Sequence, residues 1–545
     1  MEHEPSNPSE DAQAVREGLQ LLIGQGRFKD AARLFRTVRP AFPQDAWLAA
    51  TEAQVCLQLS LADQAAEAAA DALTLGSDDP QTVLALGLGR RSQGRHAEAA
   101  EALLIAHRRL PDHVEASRAL VEETAAAHGI DRARPIFAEV FARLPDHSIA
   151  VAWARLLFDA GLDDEMPPGV VSAPAMSVPT WIAEAGASLD FVGEREIIPV
   201  EDPPIYGEPD TPRFRSGVPG YIPYACSLPG ATLFAKSSLV LTHDGAVLND
   251  TLADERFGRW LDLFQDPTVL ARRDQRLLLD VGRYRVREIE AGVMLSGWVS
   301  EHFGHWVPEY LCRLSYLVNH PRFTELPIIV DDDMPVQHLE YLSLVVPNPI
   351  VSIAAGEALR CGELVVASPS TFFPTHLTAD HQVPPENQGG LSVGGFRFLQ
   401  TEVSKRLPPP ATRDRKLYLS RKSRSWRRLL NEDQVSEALA ARGFEVLYPE
   451  DMSVEEQVRM YQGAKLVVAP NGASLLNAIF APKEMTLIAL SQRGLFNWGT
   501  FYGAMRELGY DLTFFCGEGD PDQKHANYSV PLPLLIEAIE SLSPG

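Results

Sequence analysis

The 545-residue chain has no run of about 18 uninterrupted apolar residues, the length that a membrane-spanning helix needs. Cysteine is scarce. The five, Cys56, Cys226, Cys312, Cys361 and Cys516, form no CxxC pair and no metal-ligand spacing, which excludes a disulfide scaffold and predicts reduced, mostly buried thiols. Cations are outnumbered, 49 Lys and Arg against 73 Asp and Glu for a formal net charge of −24, so general binding to nucleic acid or an anionic membrane is disfavoured. Any anionic ligand should therefore be small. No GxGxxG opens a predicted strand-to-helix turn, which weakens a dinucleotide-binding reading. The opening residues, Met1-Glu2-His3-Glu4-Pro5-Ser6, are acidic and have neither the basic nor the apolar region of a signal peptide. The expectation is a cytoplasmic protein, at most peripheral at the inner face of a membrane. With 45% hydrophobic residues, the chain has enough apolar surface for more than one core.

The first 160 or so residues repeat. Gly26-Arg27-Phe28-Lys29-Asp30-Ala31-Ala32 recurs as Ser60-Leu61-Ala62-Asp63-Gln64-Ala65-Ala66, as Gly94-Arg95-His96-Ala97-Glu98-Ala99-Ala100, and more weakly from Gly129 to Ala133. The spacings are 34, 34 and 35 residues by subtraction. A small turn residue, a small-residue pair and a proline near each next junction (Pro43, Pro80, Pro111, Pro145) resemble the tetratricopeptide repeat, a stack of helical hairpins. Leu34, Phe35, Leu103, Leu104, Ile136 and Phe137 are the expected shared core. Such stacks present a groove for a peptide or protein partner, or serve only to cap or dimerise a neighbouring domain.

Pro167, Pro168, Pro174 and Pro179 break the helical pattern, and the repeat domain is placed at 1–162. Residues 163–229 form a linker and an irregular entry segment. Short apolar runs then alternate with helix-compatible segments, among them 233–241, 277–280, 293–295, 328–330, 350–353 and 364–367. They predict a first Rossmann-like half over 230–410, with at least some parallel pairing. After Pro408-Pro409-Pro410 the alternation is clearer. Strands at 417–419, 444–447, 466–469 and 486–490 enclose a helix capped by Asn431, one with a Ser453–Glu456 capping box, and one from Ser474. This predicts a second Rossmann-like half over 411–545 that binds the nucleotide, with its ligand at the carboxyl ends of the strands. The fold expected is thus an α-helical repeat solenoid followed by an α/β pair of Rossmann-like domains, the plan of a GT-B glycosyltransferase. The last apolar segment, 532–539, would pack back across the halves.

Eight of the sixteen residues from Arg413 to Arg428 are cationic: Arg413, Arg415, Lys416, Arg421, Lys422, Arg424, Arg427 and Arg428. The strand ending at Ala469 runs into Pro470-Asn471-Gly472-Ala473-Ser474 and a helix, whose free N-H groups and dipole favour a phosphate. Together these features predict a nucleotide-diphosphate site. The plain alternative is a solvated basic loop beside an ordinary turn.

Three stretches resemble glycosyltransferase family 61. They are His302-Phe303-Gly304-His305-Trp306 through Leu314; Leu417-Tyr418-Leu419-Ser420-Arg421 through Asn431-Glu432; and Glu456-Gln457 through Asn471-Gly472-Ala473-Ser474 and Asn477 to Phe480-Ala481-Pro482. The resemblance implies a GT-B fold, a nucleotide-sugar donor, usually UDP-linked, and inversion at the anomeric carbon. That family usually has His-Gly-Ala-Gly where this chain has Asn471-Gly472-Ala473-Ser474. Asparagine donates a hydrogen bond but supplies no charge and shuttles no proton.

Inverting transfer needs charge neutralised on the leaving diphosphate and a proton removed from the attacking hydroxyl. For donor binding the candidates are Arg421, Arg427, Arg428, Asn471, Gly472, Ala473 and Asn477; for the proton they are His305 and Glu309, with His302 weaker. Asp331-Asp332-Asp333 also reads as a solvated turn, and no metal or other cofactor is called for. The leading expectation is a transferase moving a sugar to a glycan or protein hydroxyl, with the repeats recruiting acceptor or partner. The rival is an inactive, transferase-like scaffold working through its repeats.

Overall fold

The computed structural model describes residues 8–207, 215–256, 261–263, 265–371, 389–421, 427–492, 498–520, 523 and 526–542. The chain forms two compact units, Met1–Ser172 with Leu278–Arg283, and Ala173–Leu277 with Tyr284–Gly545. Among the described residues no helix is long and apolar enough to cross a membrane.

In the first unit, helices α1 (Pro8–Gly24), α2 (Phe28–Ala41), α3 (Ala46–Gln58), α4 (Ala62–Thr74), α5 (Pro80–Ser92), α6 (His96–Arg109), α7 (Val114–His128), α8 (Ile130–Arg143) and α9 (His147–Asp159) form successive hairpins. The recurring turn residue is left-handed each time: φ is 69° at Gly26, 59° at Ser60, 69° at Gly94 and 85° at Gly129. That conformation reverses the chain in one residue and suits glycine, which has no Cβ to clash. Asp45, Asp79 and Asp146 accept backbone N-H bonds at the starts of α3, α5 and α9. Ala31, Ala65, Ala66, Ala99, Ala100 and Ala133 are buried, as are Phe35 and Leu103. Leu34, Leu104, Ile136 and Phe137 pack part-buried at the edges of the same clusters. The alanines matter because the helices approach so closely: a Cβ on Gly89 would fall 2.6 Å from that of Ala66.

The second unit contains two large sheets and a two-stranded one, Ile197–Glu201 paired antiparallel with Arg215–Pro219. In the first, strands β1 (Tyr224–Pro229), β2 (Thr232–Phe234), β3 (Val240–Leu241), β4 (Val247–Leu248), β5 (Arg285–Met294), β6 (Ile328–Asp331), β7 (Ile350–Ile353) and β8 (Glu357–Ala367) include the neighbour order β7-β6-β5-β8-β2-β3-β4. Pairings among β7, β6, β5 and β8 are parallel, whereas β8 to β2, β2 to β3 and β3 to β4 are antiparallel. β1 also pairs antiparallel with β8. This sheet is mixed: β7-β6-β5-β8 carry the parallel pairing that the alternating pattern suggested, and the labelled strands beyond β8 are antiparallel. The single strand expected at 233–241 is a hairpin, turned at Lys236 with φ 61°.

The second sheet matches the predicted alternation closely. Strands β9 (Arg415–Leu419), β10 (Glu445–Leu447), β11 (Ala464–Pro470), β12 (Thr486–Gln492), β13 (Asp511–Gly519) and β14 (Tyr528–Ser529) lie in the order β10-β9-β11-β12-β13-β14. All the pairings are parallel except the last. Helix α10 (Phe303–His305) precedes β6, α11 (Val336–Val345) lies between β6 and β7, and α12 (Val393–Arg406) lies between the last labelled strand of the first sheet and the first strand of the second. Helices α13 (Glu432–Ala440), α14 (Val454–Gln462), α15 (Trp498–Glu507) and α16 (Leu532–Leu542) belong to the second sheet's region. The Ser453–Glu456 capping box is present at the start of α14. One apolar core, including Val293, Trp306, Phe396, Leu417, Val467 and Leu487, runs continuously from one sheet to the other. Leu535, Ala538 and Ile539 of α16 pack with Tyr418, Val468 and Ile488, so among the described residues the terminal helix covers its own sheet.

Candidate functional site

The second sheet changes direction at β9. From β9 the chain steps to β10 on one side and then to β11 on the other, which opens a crevice at the carboxyl ends of β9 and β11. Arg421 lies just beyond β9, and Asn471-Gly472 just beyond β11. The Arg421 Nη1 donates to the Asn471 carbonyl at 2.9 Å. An ideal Cβ at Gly472 would fall 2.6 Å from that same nitrogen. Gly472 is extended, with φ 179°, so the backbone does not require glycine there. The space occupied by the guanidinium does. The Asn471 N-H donates to Leu490 on β12 at 2.7 Å and holds the loop down. Beyond it, Ala473–Phe480 is a 3₁₀ helix, tighter than the α-helix expected from Ser474. Among the described residues, the Gly472 and Ala473 amides have no protein acceptor.

Glu432 fixes the Arg421 loop from beneath. This carboxylate is buried, and its Oε1 accepts from Ser420 Oγ at 2.5 Å, the Arg421 N-H at 3.1 Å and Tyr418 OH at 3.2 Å. The sequence pointed instead to its neighbour Asn431 as a helix cap. Asn431 makes no capping bond. Its amide spans the backbone of residue 530, donating to the Val530 carbonyl at 2.8 Å and accepting from the Val530 N-H at 3.1 Å. This two-point bond satisfies a strand-end peptide distant in sequence, which is why short-range capping logic missed it.

Arg427 has φ 52°, and among the described residues its buried Nε has no hydrogen-bond partner; burial pushes its guanidinium pKa down. The charges of both Arg421 and Arg427 reach the buried Tyr528. The Arg428 side chain is exposed, and its backbone joins β14 through Asn527 Oδ1 at 2.9 Å and the Tyr528 N-H at 3.0 Å. Asn477 is fully buried behind the loop, its Nδ2 donating to Gln457 Oε1 at 2.9 Å, so it supports the loop from within. Tyr461 OH donates to the Ser474 carbonyl at 3.0 Å. Lys422 and Arg424 lie outside the described residues.

The histidine segment meets this loop. A Cβ at Gly304 would lie 3.4 Å from that of Ala473, ordinary contact distance. One residue on, His305 Nδ1 and Glu309 Oε1 are 2.5 Å apart, both side chains part-buried. Burial disfavours the His305 imidazolium, but the charge and hydrogen bond of Glu309, with help from Glu301, outweigh it and raise the His305 pKa. Pro308 lies inside a π-helical turn, Trp306–Tyr310, in which the Leu311 N-H reaches back to Trp306. Proline has no N-H for the regular bond, and the wider turn accommodates the gap. Trp306 is fully buried, stacked on His338 at 5.5 Å. Burial lowers the His338 pKa to about 4. His302 is not part of the pair and stands 3.7 Å from Glu301.

Both carboxylate oxygens of Asp331 are engaged within the chain. Its Oδ1 accepts from the Lys236 N-H at 2.8 Å, and its Oδ2 from the Gly297 N-H at 3.1 Å and Ser300 Oγ at 2.8 Å. Asp333 pairs with Lys236 Nζ at 2.5 Å.

Residues 303–488 match the Glycosyltransferase 61 family model. A beta-1,2-xylosyltransferase, XAX1 of Oryza sativa subsp. japonica, is 32% identical over 126 residues, covering 22% of this chain and 22% of the relative. The chain thus aligns with about a fifth of that protein. Among solved structures, MamA is 17% identical over 29% of this chain and 87% of its own, with a TM-score of 0.27. YrrB, described as a TPR protein with an unusual peptide-binding site, is 17% identical over 26% of this chain and 74% of its own, with a TM-score of 0.24. The chain therefore carries a glycosyltransferase 61 domain, preceded by a helical repeat region resembling tetratricopeptide proteins.

Proposed function

We propose that the chain is an inverting glycosyltransferase that moves a sugar from a nucleotide donor, UDP-linked, to a glycan or protein hydroxyl. The observation that carries this reading is the meeting of Arg421 with Asn471-Gly472 at the point where the sheet order reverses, with Gly304 and the His305–Glu309 pair beside the same loop. In this reading the Arg421 fork and the Gly472 and Ala473 amides receive the charge that builds on the leaving diphosphate. Arg427 adds to the positive field through its position by Tyr528, and Arg428 stands at the solvent edge. No metal is called on for this neutralisation. His305 takes the acceptor proton at Nε2, while Glu309 holds Nδ1 and stabilises the imidazolium that forms. The acceptor oxygen bonds to the anomeric carbon as the carbon–phosphate-oxygen bond breaks on the opposite face. The two sheets would then act as acceptor and donor sides in a GT-B-like arrangement, and the repeat region would recruit the acceptor or a partner protein. The name of the rice relative makes xylose the first donor sugar to test.

The rival reading, an inactive scaffold, draws on Asn471, which puts an uncharged amide where family 61 usually has histidine. Incubating the purified chain with a panel of UDP-sugars and measuring UDP release, with Arg421→Ala as control, decides between them. Turnover that is lost in the variant supports the transferase. UDP that neither binds nor is released supports the scaffold.

A further inference from the structure

A cavity of about 140 Å³ is lined by Glu309 together with Asp250, Asp266, Trp298, Tyr310 and Arg313. It is smaller than the roughly 300–1,000 Å³ of sites for drug-sized ligands, and suits a single sugar unit. Its polar groups are unequally satisfied. Asp250 accepts from the Val178 N-H at 2.9 Å and Tyr224 OH at 2.7 Å, one bond to each oxygen. Asp266 accepts from the Thr268 N-H at 3.0 Å and Ser237 Oγ at 2.8 Å. Burial raises the pKa of both, that of Asp266 to about 6, and at Asp250 the charge of Arg313 opposes the rise. Glu309 is engaged by His305.

Arg313 stands apart from these. Among the described residues it forms no hydrogen bond or ion pair; its guanidinium carbon rests 5.2 Å from the Tyr310 ring centroid, and its Nε is buried without an acceptor. A buried guanidinium nitrogen with no acceptor is costly, and in a chain of net charge −24 it would ordinarily be paired. The missing partner is supplied most simply by a ligand.

We propose that this cavity is the acceptor-sugar site and that Arg313 makes it selective for a sugar bearing an anionic substituent, a uronate carboxylate or a sugar phosphate. The inference rests on the transferase reading, because it seats the acceptor hydroxyl beside the His305–Glu309 pair. A planar fork grips such an anion through two hydrogen bonds, and Trp298 offers the sugar ring an apolar wall. Arg313 is a specificity-determining residue here and takes no part in the chemistry.

The test uses the full chain and its Arg313→Gln and Arg313→Lys variants. Affinities are measured for methyl glucuronide, glucose 6-phosphate and methyl glucoside, with UDP as a separate ligand. The wild type is expected to prefer one anionic sugar over the neutral glucoside by about tenfold, and the preferred anion identifies the substituent. Arg313→Gln should abolish the preference with UDP affinity unchanged, and Arg313→Lys should keep part of it. Equal binding of the three sugars by the wild type, or a preference that survives Arg313→Gln, overturns the proposal. If Arg313→Gln also loses UDP, the lysine variant decides, and loss of the preference there with UDP still bound overturns it. Failure of the wild type to bind UDP counts against the transferase reading alone, since the sugar preference is read independently.

Discussion

The Arg421 guanidinium occupies the space that a side chain at Gly472 would need, 2.6 Å from an ideal Cβ, while it donates to the carbonyl of Asn471. The obstructing atom is the end of a flexible side chain, so Gly472→Ala should fold normally and push the guanidinium away from the loop. UDP affinity is expected to fall about tenfold, or ~1.4 kcal/mol, with little change in the melting temperature. Calorimetric titration with UDP, paired with thermal unfolding, checks both parts. Unchanged affinity would mean that the guanidinium does not serve the diphosphate from this position.

Glu432 ties Tyr418, Ser420 and the Arg421 amide together through one buried oxygen. Removing the carboxylate strands three donors at once. Glu432→Ala should therefore destabilise the second unit by about 3 kcal/mol, the range seen when one partner of a buried charged network is removed. Glu432→Gln keeps an acceptor oxygen and should lose less. Urea unfolding followed by tryptophan fluorescence measures the difference, and equal losses in the two variants would show that packing dominates.

His305 has a raised pKa because the charge of Glu309 outweighs burial. A general base works in its neutral form, so the transfer rate should be low below that pKa and rise as the pH passes through it, with a midpoint above the ordinary 6.5. Glu309→Gln removes the opposing charge, leaves burial in control and should move the midpoint down while lowering the maximal rate. Rates measured from about pH 5 to pH 9 in both proteins test the sign. A midpoint that does not move would separate Glu309 from the titrating group.

Short-range pattern carried the sequence reading where the structure is local. The repeat period located the left-handed turns at Gly26, Ser60, Gly94 and Gly129, and strand-then-helix alternation located β9 to β12, whose ends bring Arg421 and Gly472 together. It failed where partners are far apart in sequence. Asn431 looked like a cap because the residues after it are helical, yet its amide serves residue 530, about a hundred positions away. Arg313 gave no signal at all, because Asp250 and Trp298, distant from it in sequence, line the same cavity only in the folded chain. The mixed sheet was itself legible only in part, through its parallel strands. Apolar runs of equal length form both parallel and antiparallel strands, and the hairpin at 232–241 has no Asn-Gly or Asp-Gly to mark its turn.

The repeat unit offers a test that is independent of the site. Ser60 holds φ 59° where the equivalent positions carry glycine, a conformation that costs an L-residue about 1 kcal/mol. Ser60→Gly should relieve it, though glycine's freer unfolded chain offsets part of the gain, leaving a net stabilisation of about 0.5 kcal/mol. Gly89→Ala should act oppositely and more strongly, because its Cβ would meet Ala66 Cβ at 2.6 Å and the Ala62 carbonyl oxygen at 2.8 Å. Neither obstacle is a flexible side-chain tip, so α4 and α5 must move apart, at about 1–3 kcal/mol. Thermal unfolding of the full chain should show the two substitutions shifting the repeat unit's transition in opposite directions. A neutral Gly89→Ala would mean that the helix pair can separate without cost, and the close alanine packing would then not be what holds the repeats in register.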